Sequence, residues 1–387
     1  MQSLARVLSC HLPLTLAVAG LTALSVACQP VVPVDECENG LPVLGCGDHS
    51  EAGVTVTVVS SNSDQLDVPR DLAFNPDVEG ELWVVNRGDD GMVIFDNVGT
   101  DAQDSEHIID PFAEHFMEEV SAIAWGPSGR FATCHESNNT YNGATDGNDF
   151  MGPSLWSSDR RIFGQSNPEA VEGLGFDLGS HLDMLHESPF CMGIAWERDA
   201  VYWAFDGSDG SIVRYDFGQD HGVGWDDHSD GIIGRYVTGE VDRQRDVPSH
   251  MVLDHDTGLL YIADTGNSRI AVLDTNSGVR GGSLPVMEFG TEHYEVEGAE
   301  LSTLIDGDDF NLDHPSGLEL HNGLLYVSDN DNGNILAFNL QGEMVDFLEL
   351  DVDKDALMGM AFAPNGDLYV VDSEEDELLR ISPKSTD

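Results

Sequence analysis

The sequence predicts an all-β protein built from repeated units, and three observations lead to that class. Short runs of β-branched and aromatic residues alternate with Gly, Asp and Asn, which is typical of antiparallel strands joined by tight turns. A pair of such runs recurs six times along the chain, and internal similarity of this kind indicates a repeat architecture. No helical period of useful length appears, so we expect helices to contribute little to the core.

Each repeat consists of a first strand and a more apolar second strand that ends in a polar residue. The fourth and fifth copies are the clearest, and the second copy is degenerate. The six copies are Pro69–Phe74 with Leu82–Asn86, Ala122–Trp125 with Arg130–His135, Gly193–Trp196 with Val201–Asp206, Pro248–Leu253 with Leu260–Asp264, Pro315–Leu320 with Leu325–Asp329, and Gly359–Phe362 with Leu368–Asp372.

The spacing of the copies sets the size of one unit. The interval is 58 residues from Asp206 to Asp264, 65 from Asp264 to Asp329, and 43 from Asp329 to Asp372. The shortest interval suits a bare four-stranded propeller blade, and the longer ones predict loop insertions. The order Pro-x-Gly-apolar, then apolar-Tyr-apolar-apolar-Asp, then Asn-x-Arg-Ile resembles the NHL repeat. This resemblance spans about residues 54–387 and implies a six-bladed β-propeller.

The two ends of the repeat region are expected to close the ring. The last copy has only three strands, the third of which covers Leu378–Ile381. The β-branched segment Val54–Val59 precedes the first copy and can supply the missing fourth strand. Pairing the two ends hides both sheet edges, which would otherwise promote aggregation.

The composition is strongly acidic and restricts the possible partners. The chain has 16 Lys and Arg against 71 Asp and Glu, which gives a formal net charge of −55. Such a surface repels polyphosphates, so nucleic acid is excluded as a partner, and charge-driven docking on anionic lipid is disfavoured for the same reason. Because 41% of the residues are hydrophobic, a sizeable core is still expected. A monomer with a protein, glycan or small-molecule ligand fits this composition.

The N-terminus is typical of an exported protein. Residues 1–27 contain one charge, Arg6, and then an apolar run that ends in small residues, which predicts a secretory signal peptide. The end of this run, Leu-Ser-Val-Ala-Cys, resembles a bacterial lipobox with Cys28 as the lipidated residue, although ordinary cleavage after Ala27 is an alternative. We therefore expect a lipoprotein in the periplasm or at the cell surface, held to the membrane only by its lipid. Residues 28–53 would form a tether.

Four cysteines remain in the mature chain, and an even number in an exported protein indicates two disulfides. Cys37 and Cys46 are close in sequence and flanked by glycines, so they are expected to close a small loop. Cys134 and Cys191 would then pair across a long one. Spacing alone does not fix these pairings, and a thiolate metal site is the alternative.

The ends of the second strands and the starts of the first strands share one face of a propeller, which we call the upper face. His250 and His314 start two first strands near the channel mouth, and the segment before Pro189 brings in His186. We expect these three histidines to bind a metal or ligand, with His135 and Asp71 as further ligand contacts. The alternative is that each ring bonds a neighbouring group and has a structural role. The recurrent aspartates that end the second strands are expected to cap turns.

A second candidate cation site lies in the loop 220–231. This stretch is rich in Gly, His and Asp, and its carboxylates suit Ca²⁺, whereas its histidines suit a transition metal. The candidate ligands are Asp220, Asp226, Asp227 and Asp230. The loop lacks EF-hand spacing and follows a third strand, so we expect it on the opposite, lower face. A solvated loop is the alternative.

Two classes of function are compatible with these features. The first is a binding module whose upper face holds a ligand, and the second is a metal-dependent lyase or hydrolase at the upper mouth of the channel. The NHL resemblance includes the peptide α-amidating lyase, whose zinc histidines directly follow the first-strand proline. The matching positions here are Arg70, Phe190, Ser249 and Ser316, which argues against the same zinc site. The set of ligands used by gluconolactonase-like propellers does not stand out either, so the binding module is preferred.

Overall fold

The structure is a computed structural model that describes Cys37 and residues 40–127, 129–138, 150–167, 178–225 and 227–384. It contains six sheets whose innermost strands contact one another in a closed ring. The all-β, six-bladed propeller expected from the sequence is therefore confirmed. The predicted signal peptide, the lipobox cysteine Cys28 and Asp226 lie outside the described residues.

Each blade is an antiparallel sheet whose first strand lines the channel. Blade 1 contains β2 (Pro69–Phe74), β3 (Leu82–Asn86), β4 (Gly91–Asp96) and β5 (Asp104–Ile109); blade 2 contains β6 (Val120–Trp125), β7 (Arg130–His135), β8 (Ser154–Ser157) and β9 (Asp183–Met184); and blade 3 contains β10 (Cys191–Arg198), β11 (Val201–Asp206), β12 (Ser211–Asp216) and β13 (Ile232–Tyr236).

The other three blades follow the same order. Blade 4 contains β14 (Met251–Asp254), β15 (Leu259–Asp264), β16 (Arg269–Asp274) and β19 (Glu300–Asp306); blade 5 contains β20 (Pro315–His321), β21 (Leu324–Asp329), β22 (Asn334–Asn339) and β23 (Met344–Glu349); and blade 6 contains β24 (Leu357–Phe362), β25 (Leu368–Asp372), β26 (Glu377–Pro383) and β1 (Val54–Ser60). The described helices are α1 (Ala113–Phe116) and 3-10 turns at Pro42–Leu44, Glu51–Gly53, Asn62–Asp64, Thr265–Asn267 and Gly307–Asp309.

The second strand of each blade explains why the sheets stack face to face. All residues of β3 are buried, because both faces of this strand pack against other blades. Large aromatic side chains fill the space between blades 1 and 2, where Trp83, Phe131 and Trp156 are fully buried. Apolar runs without alternation are what a strand buried on both faces requires.

The N-terminal strand closes the ring as expected. β1 pairs antiparallel with β26, so that Val54 lies opposite Pro383 and Val58 opposite Leu379. The last blade thus takes three strands from the C-terminus and one from the N-terminus, and β1 covers the edge that β26 would otherwise expose.

The insertion in blade 4 has a structure that the sequence did not predict. Between β16 and β19 the chain forms a hairpin of β17 (Val279–Ser283) and β18 (Glu292–Glu297), which joins the outer edge of blade 3. There β18 runs parallel to β13, and Ile232 pairs with Glu292. Blade 3 therefore becomes a six-stranded sheet whose outer strands belong to the next repeat.

The two cysteine pairings expected in the sequence analysis are present. Cys37 bonds to Cys46, and Cys134 of β7 bonds to Cys191 of β10, which links blades 2 and 3. Two disulfides are typical of an exported protein. Within the described residues, no helix has the length and apolar character needed to cross a membrane.

The second half of the predicted tether packs against the propeller. Leu44 is fully buried against blades 5 and 6, and the Leu41 amide donates to Asp346 Oδ2 at 2.6 Å. The Glu349 amide donates to the His49 carbonyl at 3.2 Å. Residues 40–53 are therefore docked on the propeller.

Candidate functional site

The side chains at one register position of the six first strands fill the middle of the channel. In strand register, this position holds Asp71, Ala122, Gly193, His250, Gly317 and Gly359 in blades 1 to 6. Four of these residues have no side chain beyond Cβ. A Cβ at Gly359 would lie 2.4 Å from Asp71 Oδ1, and one at Gly193 would lie 2.0 Å from the Ser249 carbonyl. The glycines therefore leave room for the two large residues.

Asp71 and His250 come from opposite blades and meet across the channel. His250 Nε2 lies 3.6 Å from Asp71 Oδ2 and 3.2 Å from the Ser121 carbonyl. The amides of Leu72 and Ile123 donate to the Asp71 carboxylate at 2.8 and 2.9 Å. Burial raises the pKa of Asp71, and His250 offsets part of that rise. Asp71 and His250 both line a lower cavity, whereas Arg70, which precedes Asp71 in the chain, lines an upper cavity.

The lower cavity has a volume of about 410 Å³. Glu319 faces it from a position that holds alanine in four other blades. Burial, followed by the charge of Asp71, raises the pKa of Glu319 to about 8. The carboxyl group is therefore largely protonated at neutral pH.

Four consecutive blades place an aromatic side chain at the rim of the lower cavity. At the position where blades 4 and 5 have leucine, blades 6, 1, 2 and 3 carry Phe362, Phe74, Trp125 and Trp196. Contacts with neighbouring rings order them: Trp125, for example, packs edge-on against Trp83, with the ring centroids 5.3 Å apart. The lower mouth thus has one aromatic side and one aliphatic side.

The upper cavity has a volume of about 320 Å³ and is lined by Arg70, which is only 4% exposed. Its Nε has no hydrogen-bond partner, and the guanidinium makes no ion pair with any residue that the structure describes. Burial lowers the pKa of Arg70 to about 10, which still leaves it charged at neutral pH. A buried charge without a partner is costly, so its presence needs an explanation.

Two of the three carboxylates that interact electrostatically with Arg70, Glu136 and Asp246, are already engaged by Arg87, and the third is Glu374. Arg87 Nε lies 2.9 Å from Glu136 Oε2, and Arg87 Nη2 lies 3.0 Å from Asp246 Oδ1. The other oxygen of Glu136 accepts from the Asp246 amide at 2.7 Å. These bonds hold both acids in the Arg87 network, and Arg70 remains free to contact an occupant of the cavity.

The three histidines that the sequence proposed as a joint site do not come together. His250 lies in the channel, and His314 lines the upper cavity. The ring of His186 stacks on Phe150 with centroids 4.2 Å apart, and its Nδ1 lies 2.7 Å from Glu288 Oε1. In the described part of the chain, the groups able to share one ion do not combine these three rings. The reason is that the segment before blade 3 directs His186 toward the hairpin insertion.

His314 belongs instead to a group with Asp331 and Asp355 at the upper mouth. The Lys354 ammonium lies 2.5 Å from Asp331 Oδ1, where it already supplies a positive charge. This arrangement does not favour a metal ion. His135 is buried in blade 2, where burial and His115 lower its pKa to about 3, so it is a neutral structural residue.

The recurrent aspartates cap turns, as the structural interpretation expected. Asp206 Oδ1, for example, accepts from the Ser208 amide at 2.8 Å. Asp206 also forms a buried ion pair with Arg235, with Oδ2 and Nη1 2.5 Å apart.

The predicted ligands in the loop 220–231 are dispersed. Asp220 pairs with Arg130 at 3.2 Å, and Asp227 accepts from the Ser229 amide at 3.2 Å. Asp230 lies 2.9 Å from His221 Nε2 and forms a group with His221 and Asp183. Of the three predicted residues that the structure describes, Asp220, Asp227 and Asp230, only Asp230 joins a group that could hold a metal ion.

Sequence reasoning did not single out Arg70 or Glu319 as ligand contacts. Both depart from what other copies carry at the same position: Arg70 replaces the serines Ser249 and Ser316, and Glu319 replaces alanine. A column-by-column comparison of the six copies would have found them.

Comparison with known proteins identifies the fold. The structure is similar to an auxiliary nutrient binding protein from Bacteroides ovatus ATCC 8483, with a TM-score of 0.50 and 11% identity over 86% of this chain and 77% of that chain. It is also similar to a streptogramin B lyase, with a TM-score of 0.50 and 10% identity over 86% of this chain and 98% of that chain. No family model and no curated protein matches the sequence. Identities this low establish a shared β-propeller fold and leave the function open.

Proposed function

We propose that this protein is a binding module whose upper cavity holds a small ligand through a carboxylate group. The observation that carries the proposal is the buried, unpaired guanidinium of Arg70. A planar guanidinium binds a carboxylate through two parallel hydrogen bonds, and such a ligand would supply the missing partner. At about 320 Å³, the cavity suits a small metabolite.

The remaining charges favour a ligand that also carries an ammonium group. Asp246, Asp355 and Glu374 line the same cavity as Arg70, together with Arg245, whose Nε lies 3.4 Å from Asp246 Oδ2. A simple anion would be repelled by these acids, whereas a zwitterion places its ammonium among them. Free α-amino acids are the simplest ligands of this class. The Bacteroides ovatus neighbour is described as a binding protein and the other neighbour as a lyase. The shared fold therefore does not indicate the function, and the proposal is based on the residues of the site.

Calorimetric titration of the purified protein with glycine, alanine and glutamate at fixed ionic strength tests the proposal. Amino acid amides, which lack the carboxylate, should bind much more weakly, and N-acetyl amino acids, which lack the ammonium, should bind less tightly than the parent compounds. Arg70→Gln should weaken binding by about 30-fold or more, since losing one partner of a buried charged pair costs about 2–5 kcal/mol.

Arg198→Gln is the matched control, because Arg198 is an exposed residue outside the cavity. It should leave the affinity unchanged. Equal affinity for the acid and its amide, or unchanged affinity in Arg70→Gln, would overturn the proposed role of Arg70.

We also propose that the mature protein is an NHL-type propeller attached to a membrane through a lipid on Cys28. The lipobox-like residues 24–28 and the two disulfides support export. Mass spectrometry should find an acylated cysteine at the mature N-terminus. Finding Cys28→Ala still in the membrane fraction would reject this anchor.

A further inference from the structure

Asp183 has a buried carboxylate oxygen for which the described protein provides no hydrogen-bond partner. Its Oδ1 is held by the Met184 amide at 2.8 Å and by His228 Nδ1 at 2.6 Å. Its Oδ2 is buried and unpartnered, and the residue is 1% exposed. A carboxylate held through one oxygen while the other stays free resembles a metal ligand oriented by its outer-shell bonds.

Two further donors lie next to this carboxylate. One nitrogen of His221 and one oxygen of Asp230 lie with a carboxylate oxygen of Asp183 so that all three are within 4.8 Å of one another. Asp230 is fixed because its Oδ2 accepts from the Gln219 amide at 3.0 Å. Gly218, at φ +69°, permits this approach, since a Cβ there would lie 2.6 Å from Asp230 Oδ2.

We propose that Asp183, His221 and Asp230 bind a divalent transition-metal ion of the Zn²⁺ class. Two carboxylates and one imidazole suit Zn²⁺ better than Ca²⁺, which takes six or more oxygen ligands. A tetrahedral ion with bonds of about 2.1 Å holds its ligand atoms about 3.4 Å apart, so small side-chain movements complete the site. The ion would insert between His221 and Asp230, which now contact each other at 2.9 Å.

The position of the three ligands gives this ion a structural role. Asp183 belongs to β9, the two-residue outer strand of blade 2, whereas His221 and Asp230 belong to the lower-face loop of blade 3. The same loop contacts blade 2 through the Gly224 amide, which donates to the His181 carbonyl at 2.8 Å. The ion would therefore join blades 2 and 3 at their outer side, as the Cys134–Cys191 disulfide does nearer the channel.

Thermal unfolding and metal titration of the chelator-treated full chain test this site. Adding Zn²⁺ should raise the midpoint of unfolding by about 4 °C at a concentration 100-fold above the dissociation constant, with Ca²⁺ far less effective. His221→Ala should remove one bound equivalent of Zn²⁺ and the associated shift. His107→Ala is the matched control, because it removes a similar His–Asp pair, 2.8 Å from Asp89, and should retain both.

Two results would overturn the proposal. One is an equal Zn²⁺ stoichiometry and thermal shift in the wild type and His221→Ala. The other is stabilisation by Ca²⁺ as large as that by Zn²⁺. Because none of these residues lines the upper cavity, either outcome leaves the role of Arg70 untouched.

Discussion

Replacing Arg70 with methionine should make the ligand-free protein more stable. Burial lowers the pKa of Arg70 from 12.5 to about 10, and that shift corresponds to about 3 kcal/mol of unfavourable free energy for holding the charge in the fold. Methionine fills a similar volume without a charge, so we expect the free energy of unfolding to rise by about 1–3 kcal/mol. Binding residues commonly carry a cost of this kind in stability.

Denaturant unfolding at pH 7 of wild type, Arg70→Met and Arg235→Met measures the effect. Arg235 is also buried, but it pairs with Asp206 and donates to Ser211 Oγ at 2.7 Å. Its replacement leaves a buried carboxylate unpaired and should lower the free energy of unfolding by about 3–5 kcal/mol. The two substitutions are therefore expected to have opposite signs. A loss of stability in Arg70→Met similar to that in Arg235→Met would refute the reasoning, since it would mean that Arg70 has a partner in the fold.

Three further predictions concern the channel, the disulfide and the closing strand. Because the pKa of Glu319 is raised to about 8, its carboxyl group destabilises the fold increasingly as pH rises from about 4.5 to about 8. In pH-dependent thermal melts, Glu319→Gln should therefore gain stability over the wild type across that range. The exposed control Glu79→Gln should not. Replacing Cys134 and Cys191 together with alanine should cost about 2–5 kcal/mol in denaturant unfolding, since the bridge spans 57 residues, and an unchanged midpoint would contradict that. Deleting Val54–Ser60 exposes the edge of β26 and should yield aggregates by light scattering; a stable monomer would show that closure is dispensable.

The propeller could be predicted because its signals are local and repeated. Each copy carries its own strand pattern, and the closing role of β1 followed from the missing fourth strand of the last copy. The hairpin of β17 and β18 could not be predicted in the same way. Its strands pair with β13 of the preceding blade, and periodicity within one repeat does not indicate which neighbouring sheet an insertion will join.

The candidate site was predictable only where one copy departs from the others. His250 drew attention because other blades have glycine there, and the structure explains the exchange through Asp71 on the opposite blade. The joint histidine site could not be tested from sequence, because it depended on where a long connecting segment places His186. In the sequence analysis, Arg70 was placed at the position of a zinc ligand in the family that the repeat resembles, but it was not proposed as a ligand contact. Its importance lies in the absence of a partner, which only coordinates reveal.

Arg70 remains unpaired in a chain that has 71 acidic side chains and only 16 basic ones apart from histidine. In such a protein a carboxylate partner is easy to find, so something must keep the nearby acids away from Arg70. Arg87 does so for two of these acids by holding Glu136 and Asp246 at 2.9 and 3.0 Å. Arg87→Gln should release these acids to pair with Arg70, and affinity for amino acids should fall about tenfold although Arg87 does not line the cavity. In an Arg70→Gln background, Arg87→Gln should have little effect on the affinity, because no Arg70 guanidinium is left for the released acids to neutralise. Calorimetric titration of the two single variants and the double variant measures this coupling, and equal effects of Arg87→Gln in both backgrounds would show that Arg87 does not act through Arg70.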